Sequence, residues 1–323
     1  MPLSEFELIA HYFSRPAKRQ DVRLGVGDDA ALVSPPAGSE LALCVDALVA
    51  GRHFPVGTAA EAIGHKALAV NLSDLAAMGA EPAWATLALT LPEANEAFVA
   101  AFARGFYALA EAHGVALVGG DTVRGPLQVV VQAQGVLPAG SALSRGGARP
   151  GDHLFVTGTL GDAGAGLAVV QGTLGCAAAD AAVLRQRLDY PTPRVAEGCA
   201  LRGIASAAID ISDGLLADLG HILEASGVGA RLQLDAVPFS SPLRRCVGET
   251  EACLRLALSA GDDYELCFAV PEARLDAFER VASQWACGFT RIGVVRKEPG
   301  LTFEHGALPA DMIAGFDHFG GEA

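Results

Sequence analysis

No apolar run in this 323-residue chain approaches the ~20 residues needed to cross a bilayer, although 51% of its residues are hydrophobic. A membrane-spanning role is therefore not expected. The opening Met1-Pro2-Leu3-Ser4-Glu5 lacks the basic start and long apolar stretch of a secretory signal, so a cytoplasmic protein is expected. The seven cysteines, from Cys44 to Cys287, include no Cys-x-x-Cys pair and follow no regular spacing. That argues against a zinc site or a disulfide framework and predicts mostly reduced, buried thiols. Basic charge is short as well: 23 Lys and Arg face 37 Asp and Glu, for a net charge of -14. Such a surface repels a polyanion, so nucleic acid is not an expected partner, while a small anion can bind where cations or arginines neutralise it. The chain also has no His-Glu-x-x-His, no Gly-x-Ser-x-Gly and no Gly-Lys-Ser/Thr phosphate loop. These absences remove support for zinc hydrolysis, a covalent serine mechanism and a P-loop nucleotide site.

The length exceeds what one hydrophobic core usually supports, which predicts two domains. Ser4-Glu5-Phe6-Glu7 reads as a capping box leading into a short amphipathic helix through Phe13. Residues 40–46 read as a strand ending in Asp46, 59–78 as an alanine-rich helix, and 84–91 as a strand. Residues 93–113 read as an amphipathic helix, 115–118 as a strand delivering Gly119-Gly120-Asp121, and 127–137 as a closing strand. This order suits an α/β domain over residues 1–137. The segment 138–151, rich in glycine, proline and arginine, marks a linker that carries Arg145. A second α/β domain is expected over 152–323, with strands at 152–157, 206–211, 230–235, 264–270 and 289–295. Its helices are expected at 163–171, 180–189, 194–203, from Gly214 onward, and at 272–284.

What the chain has in abundance is clustered aspartate: Asp28-Asp29, Asp46, Asp74, Asp121, Asp210 with Asp213, and Asp262-Asp263. Most follow apolar strand-like runs or sit on one helix face, as Asn71 and Asp74 do at i and i+3. Clustered carboxylates need cations to coexist, and hard oxygen ligands select magnesium, calcium or manganese over softer metals. Direct phosphoryl transfer fits this inventory, because there the protein aligns donor and acceptor while cations neutralise charge, with no protein nucleophile. An acceptor that is itself a phosphate is already ionised near neutral pH and needs no strong general base. The turn Gly158-Thr159-Leu160-Gly161-Asp162 exposes backbone N–H groups of the kind that receive phosphate oxygens. Each feature also has a plainer reading. Asp28-Asp29 fits an Asx turn, Asp213-Gly214 an ordinary helix start, and the glycines at 158–166 a tight turn.

The strings GVGDDAAL (25–32), VNLSDLAAMGA (70–80), GGDT (119–122), AIDISDGL (208–215) and AGDDYEL (260–266) together resemble the thiamine-monophosphate kinase family. The resemblance extends to EFELIAHYF (5–13), VTGTLGDAGAGLA (156–168) and GFDHF (315–319), and so spans nearly the whole chain in order. It implies a superfamily that includes aminoimidazole ribonucleotide synthetase and selenophosphate synthetase. The implied fold is two α/β domains of the aminoimidazole ribonucleotide synthetase-like type, with the N-terminal sheet forming a barrel across a homodimer. The implied reaction is ATP plus thiamine phosphate giving ADP plus thiamine diphosphate, with Mg2+ required. Matched motif by motif, Asp29, Asp46, Asp74, Asp121, Asp210 and Asp213 correspond to magnesium ligands, Asp74 being shared between ions, with Asp28 as a neighbouring support. Metal-assisted catalysis is implied through Asp74, Asp121 and Asp213. Gly120, Asp121, Arg145 and Ser212 correspond to nucleotide positions, and His53, Asp262 and Phe316 to thiamine-phosphate positions.

Three departures from the family pattern stand out. Cys44 and Val45 replace the hydroxyl residues common before the strand aspartate, so only backbone oxygens there can serve a metal. Asp262 stands where glutamate is common, and Phe316 replaces a frequent tryptophan or tyrosine. Three other functions compete with a kinase: a related ATP-dependent synthetase, a ligand-binding dimer without turnover, and a magnesium-dependent phosphohydrolase. Selenophosphate synthesis is disfavoured, because no cysteine precedes Gly27.

Overall fold

The computed structural model describes residues 4–16, 18–305 and 308. Residues up to Leu75 together with Ala80–Gly140 form one compact unit, and Ala76–Gly79 with the residues from Ser141 onward form the other.

The first unit opens with the expected capping box. The Ser4 backbone N–H donates to Glu7 Oε2 at 2.7 Å and the Glu7 N–H donates to Ser4 Oγ at 3.4 Å, which starts α1 (Glu5–Leu8). A π-helical turn, Ile9–Phe13, continues it. Strands β1 (Val22–Leu24) and β2 (Leu32–Val33) form a small antiparallel ribbon. Then come β3 (Ser39–Val49), α2 (Ala60–Ala77), β4 (Glu81–Leu91), α3 (Glu96–Ala112), β5 (Ala116–Arg124) and β6 (Gln128–Pro138). The four long strands lie in the order β3-β6-β4-β5, with β4 and β5 parallel and the other pairs antiparallel. Helix α3 begins where the Asn95 side chain accepts the Phe98 N–H at 3.0 Å, and it buries Val99, Phe102 and Phe106 at helical spacing. Each such ring taken from water contributes about 1.5–3 kcal/mol.

Alternation along β3 decides what the sheet presents. Successive side chains point to opposite faces. Cys44 and Asp46 share the face that meets α2, since Cys44 Sγ lies 3.3 Å from the Asn71 carbonyl. Leu41, Leu43, Val45 and Val49 lie on the other face, where Leu43 and Val45 are 62% and 61% exposed. Gln134 and Gln132 of β6 stand directly opposite those two residues.

The second unit is built on a six-stranded sheet of β7 (His153–Thr157), β8 (Ala207–Asp210), β9 (Gly229–Gln233), β10 (Leu266–Val270), β11 (Phe289–Arg296) and β12 (Gly300–Glu304). The order is β12-β9-β11-β7-β10-β8, antiparallel throughout except for the β12–β9 pair. Its helices are α4 (Asp162–Val170), α5 (Ala178–Asp189), α6 (Val195–Ala200), α7 (Leu215–Ser226), α8 (Ser241–Val247), α9 (Thr250–Ser259) and α10 (Leu275–Ala282). The central strands are buried on both faces. Leu154, Val156, Ile209 and Cys267 pack with Leu219 and Ile222 of α7, while Phe155, Ala208 and Phe268 pack with Phe278 of α10. That is why HLFVT and LCFAV read as unbroken apolar runs rather than as alternating ones.

The structure departs from the sequence reading in several places. Strand β3 does not end at Asp46 but continues to Val49, and β5 does not stop at Val118 but runs through Gly119-Gly120-Asp121 to Arg124. The expected helix 272–284 divides into a 3-10 turn, Glu272–Arg274, and α10. Elements β1, β2, α8, α9 and β12 have no counterpart in the sequence reading. Cys176 and Cys246, 70 positions apart in sequence, form a disulfide with Cα atoms 5.1 Å apart, a single bond that departs from the expected lack of a disulfide framework. The other five are free thiols, of which Cys253 and Cys267 are buried.

Candidate functional site

In the first unit the inner face of β3 and one face of α2 bring together Cys44, Asp46, Asn71 and Asp74. The Asp46 and Asp74 carboxyls face each other closely enough for the Asp74 side chain to stabilise the Asp46 charge. Burial pushes the Asp46 carboxyl above its ordinary value, opposed by that contact. Burial also pushes the Cys44 thiol far up, reinforced by the Asp74 and Asp46 charges, so it stays protonated and donates to the Asn71 carbonyl. The Asn71 amide in turn donates to the Ala67 carbonyl at 3.1 Å, one turn back along α2. Two carboxylates placed in this way hold a proton between them, and a hard divalent cation is the other species that lets both sit side by side.

Gly120 lies inside β5 at φ 155, and a Cβ there would sit 1.9 Å from the Leu87 carbonyl oxygen, so only glycine lets β5 pass β4 this closely. The pairing register shifts two residues earlier, where Val118 falls between the Ala85–Leu117 and Thr86–Gly119 pairs. Asp121 follows, exposed, with Oδ1 accepting the Thr122 N–H at 2.8 Å. Asp28 and Asp29 are exposed, and the Asp29 N–H donates to Asp28 Oδ1 at 2.8 Å. His53 Nδ1 accepts the Val49 N–H at 2.9 Å, which puts the proton of the neutral ring on Nε2.

In the second unit Asp210 ends β8, buried, and the chain then turns through Ile211-Ser212-Asp213-Gly214 into α7. The N–H groups of Ser212, Asp213 and Gly214 all donate to Asp218 Oδ2, at 3.0, 3.0 and 3.1 Å. Asp218 thereby fixes the turn that carries two candidate ligands. Burial first, and then the Asp210 charge, push its carboxyl up to about 7 and outweigh the three donors. Sequence reading misses Asp218, although an acidic residue in the first turn of a helix after a tight turn is a legible signal.

Three backbone donors of the turn at 158–162 are already engaged. The Gly158 N–H goes to the Gly288 carbonyl, the Leu160 N–H to the Pro238 carbonyl, and the Gly161 N–H to both Asp263 carboxylate oxygens at 3.0 and 2.9 Å. Asp162 accepts Thr159 Oγ1 and Ser240 Oγ. Next to the turn, fully buried Glu265 accepts Arg187 at 2.7 Å, Arg194 Nε at 2.6 Å and Thr157 Oγ1 at 2.7 Å. Those arginines are bound to Glu265 and the turn is lined by acids, an arrangement that suits a structural joint.

Asp262 is half-buried at the start of this segment, and Ser212 accepts its N–H at 2.8 Å. Arg145 is exposed, on a stretch pinned by Ser226 Oγ, which donates to the Arg145 carbonyl and accepts the Gly147 and Ala148 N–H groups. Phe316 and the closing GFDHF lie outside the described residues. Among the described residues, no group of three or more His, Cys, Asp and Glu side chains is arranged to hold a metal ion by itself. A cation held here would complete its shell with other oxygens, such as water, backbone carbonyls or a bound phosphate. None of the described helices is long and apolar enough to cross a membrane.

Two family models match the chain: AIR synthase related protein, N-terminal domain, over residues 27–139, and AIR synthase related protein, C-terminal domain, over residues 149–306. The chain is 51% identical to the thiamine-monophosphate kinase of Salmonella typhimurium, over 99% of each sequence. It is 49% identical to that of Escherichia coli strain K12, again over 99% of each. The crystal structure of thiamine-monophosphate kinase from Stenotrophomonas maltophilia K279a superimposes with a TM-score of 0.84 at 50% identity, over 89% of this chain and 92% of that one. A structure of AaThiL complexed with AMPPCP and TMP superimposes with a TM-score of 0.78 at 32% identity, over 88% of this chain and 89% of that one.

Proposed function

This chain belongs to the thiamine-monophosphate kinase family of phosphotransferase enzymes. From that premise we propose that it transfers the γ-phosphoryl group of ATP directly, in line, to the phosphate of thiamine phosphate, giving thiamine diphosphate. The observation that carries this reading is the Asp46–Asp74 pair, two neighbouring carboxyls between β3 and α2 that need a proton or a cation to sit side by side. The complex of AaThiL with AMPPCP and TMP supports the choice of substrates. Several Mg2+ ions assist, held by Asp29, Asp46, Asp74 and Asp121 of the first unit and by Asp210 and Asp213 of the second. When bound, magnesium neutralises phosphate charge on the donor and on the transferred group.

The chain's own residues align the reactants. Gly120, Asp121, Arg145 and Ser212 take the nucleotide, Arg145 as the partner for phosphate charge. His53, Asp262 and Phe316 take thiamine phosphate. Asp262 faces the cationic ring and Phe316 stacks on it. The domains run over 1–137 and 152–323 with 138–151 as linker, and the enzyme works in the cytoplasm. The deciding experiment incubates purified protein with ATP, magnesium and thiamine phosphate and separates the thiamine species, with free thiamine as a control acceptor. Thiamine diphosphate formed only from the monophosphate is expected. ADP formation without it would redirect the reading to a related acceptor, and phosphate release without an acceptor would redirect it to hydrolysis.

Cation binding and pH are coupled in a testable direction. Asp218 keeps its proton up to about pH 7 in the folded chain, whereas an unfolded aspartate loses it near pH 4. The folded state thus binds the extra proton, and stability from this group falls as pH rises across that window. A cation beside Asp210 and Asp213 offsets the loss. Magnesium should raise the unfolding temperature more at pH 8 than at pH 5, and equal shifts at both would exclude the coupling.

A homodimer through the exposed face of the β3-β6-β4-β5 sheet completes the proposal. Leu41, Leu43, Val45 and Val49 of β3 are exposed on that face, a row of apolar side chains that pairing with a second copy would cover. Leu43→Asp combined with Val45→Asp should convert the protein to monomers in sedimentation velocity. A parent protein that already sediments as a monomer would refute the interface.

A further inference from the structure

Three non-glycine residues of the second unit adopt the left-handed backbone region, and two of them, Asp262 at φ 62 and Tyr264 at φ 51, lie two positions apart. L side chains hold that conformation only where surrounding contacts enforce it. Here the enforcing contacts are backbone hydrogen bonds. The Asp262 N–H donates to the Ser212 carbonyl, the Tyr264 N–H to the Ile211 carbonyl and the Ile211 N–H to the Glu265 carbonyl, each at 2.8 Å. The pairing of β8 with β10, in register at Asp210 and Leu266, thus continues beyond both strands through a kinked segment. Gly261 lets the two chains touch, since a Cβ there would lie 2.3 Å from the Ser212 carbonyl oxygen. Asp263, between the two left-handed residues, is buried and anchored on the Gly161 N–H.

This backbone brings the side chains of residues two apart to the same place. The Tyr264 hydroxyl donates to Asp262 Oδ1 at 2.9 Å, and Tyr264 is otherwise buried. We propose that Tyr264 is a positioning residue for substrate recognition, its hydroxyl holding the Asp262 carboxylate in the orientation that receives the cationic ring of thiamine phosphate. The proposal rests on the functional reading above and extends it to a residue with no assigned role. A hydroxyl donor orients a carboxylate without neutralising it, so the Tyr264 contact itself leaves the Asp262 charge in place. A short aspartate side chain held in one rotamer also loses less freedom when the ligand arrives.

A double-mutant cycle with Tyr264→Phe and Asp262→Ala tests it. Tyr264→Phe keeps the ring in its slot and removes one oxygen. It is expected to raise KM for thiamine phosphate about tenfold, equivalent to ~1.4 kcal/mol, with kcat and KM for ATP little changed. In the Asp262→Ala background the same change should have no further effect. An unchanged KM, an equal factor in both backgrounds, or a parallel rise in KM for ATP would overturn the proposal. Should Tyr264→Phe lose its fold, Asp262→Asn gives a second reading with Tyr264 intact: KM for thiamine phosphate rises at least tenfold, and no rise overturns the idea. A parent that makes no thiamine diphosphate overturns the functional reading and this inference with it, whereas an active parent with an additive cycle overturns this inference alone.

Discussion

Asp74→Asn should lower kcat by at least about two orders of magnitude, the loss seen when one preorganised charge-stabilising group is removed, while the protein stays folded. The amide has nearly the shape of the acid and can hydrogen-bond Asp46, so packing between α2 and β3 is preserved. What disappears is the negative charge that a cation needs, at a position where two carboxyls are already neighbours. Steady-state kinetics across a magnesium titration, with thermal unfolding of the same samples, reads both halves of the expectation. Near-parental turnover at saturating magnesium would remove Asp74 from the metal site. A deficit that magnesium only partly restores is the expected pattern.

Glu265→Ala should destabilise the second unit by roughly 3–5 kcal/mol, the range for breaking a buried ion pair by removing one partner. Glu265 is fully buried, and it accepts from Arg187, Arg194 and Thr157. Burial works to raise its carboxyl, but the Arg194 bonds and the Arg194 and Arg187 charges hold it below the ordinary value. Its removal takes the main counter-charge from two guanidinium groups in a poorly solvated place, beside the Asp263–Gly161 contact that anchors the Gly261–Tyr264 kink. With total stabilities of about 5–15 kcal/mol for native proteins, that is a large fraction. Urea unfolding followed by circular dichroism measures it, and a change under about 1 kcal/mol would mean the arginines find other partners.

Elements with strong periodicity are legible in the amino-acid pattern itself. Helix α3, with Phe102 and Phe106 one turn apart, and the alternating β6 are found within a few residues of where the pattern puts them. Strands of two to five residues such as β1, β2 and β12 carry too few positions for a period to register. The β5 boundary is misread because glycine normally interrupts a strand, whereas Gly119 and Gly120 lie within one whose neighbour passes unusually close. At the site, the shared face of Asn71 and Asp74 follows from helical spacing, and their meeting with β3 from the strand's alternation. Partners far apart in sequence leave no local trace. Glu265 and Thr157 are 108 positions apart, and Cys176 and Cys246 are 70 apart. The Tyr264 contact with Asp262 depends on backbone angles that the side-chain pattern does not encode.

Strand β3 carries an acid on one face and exposed leucine and valine on the other, at consecutive positions. Because its side-chain period is two, inserting or deleting one residue upstream of Cys44 would exchange the faces, sending Asp46 out to solvent and Val45 in beneath α2. Two functions would fail in one event, although every residue type involved is still present. Over this stretch, evolutionary change should therefore run through substitutions at fixed length, and single-residue gaps in natural variants should fall in the loops that flank residues 39–49.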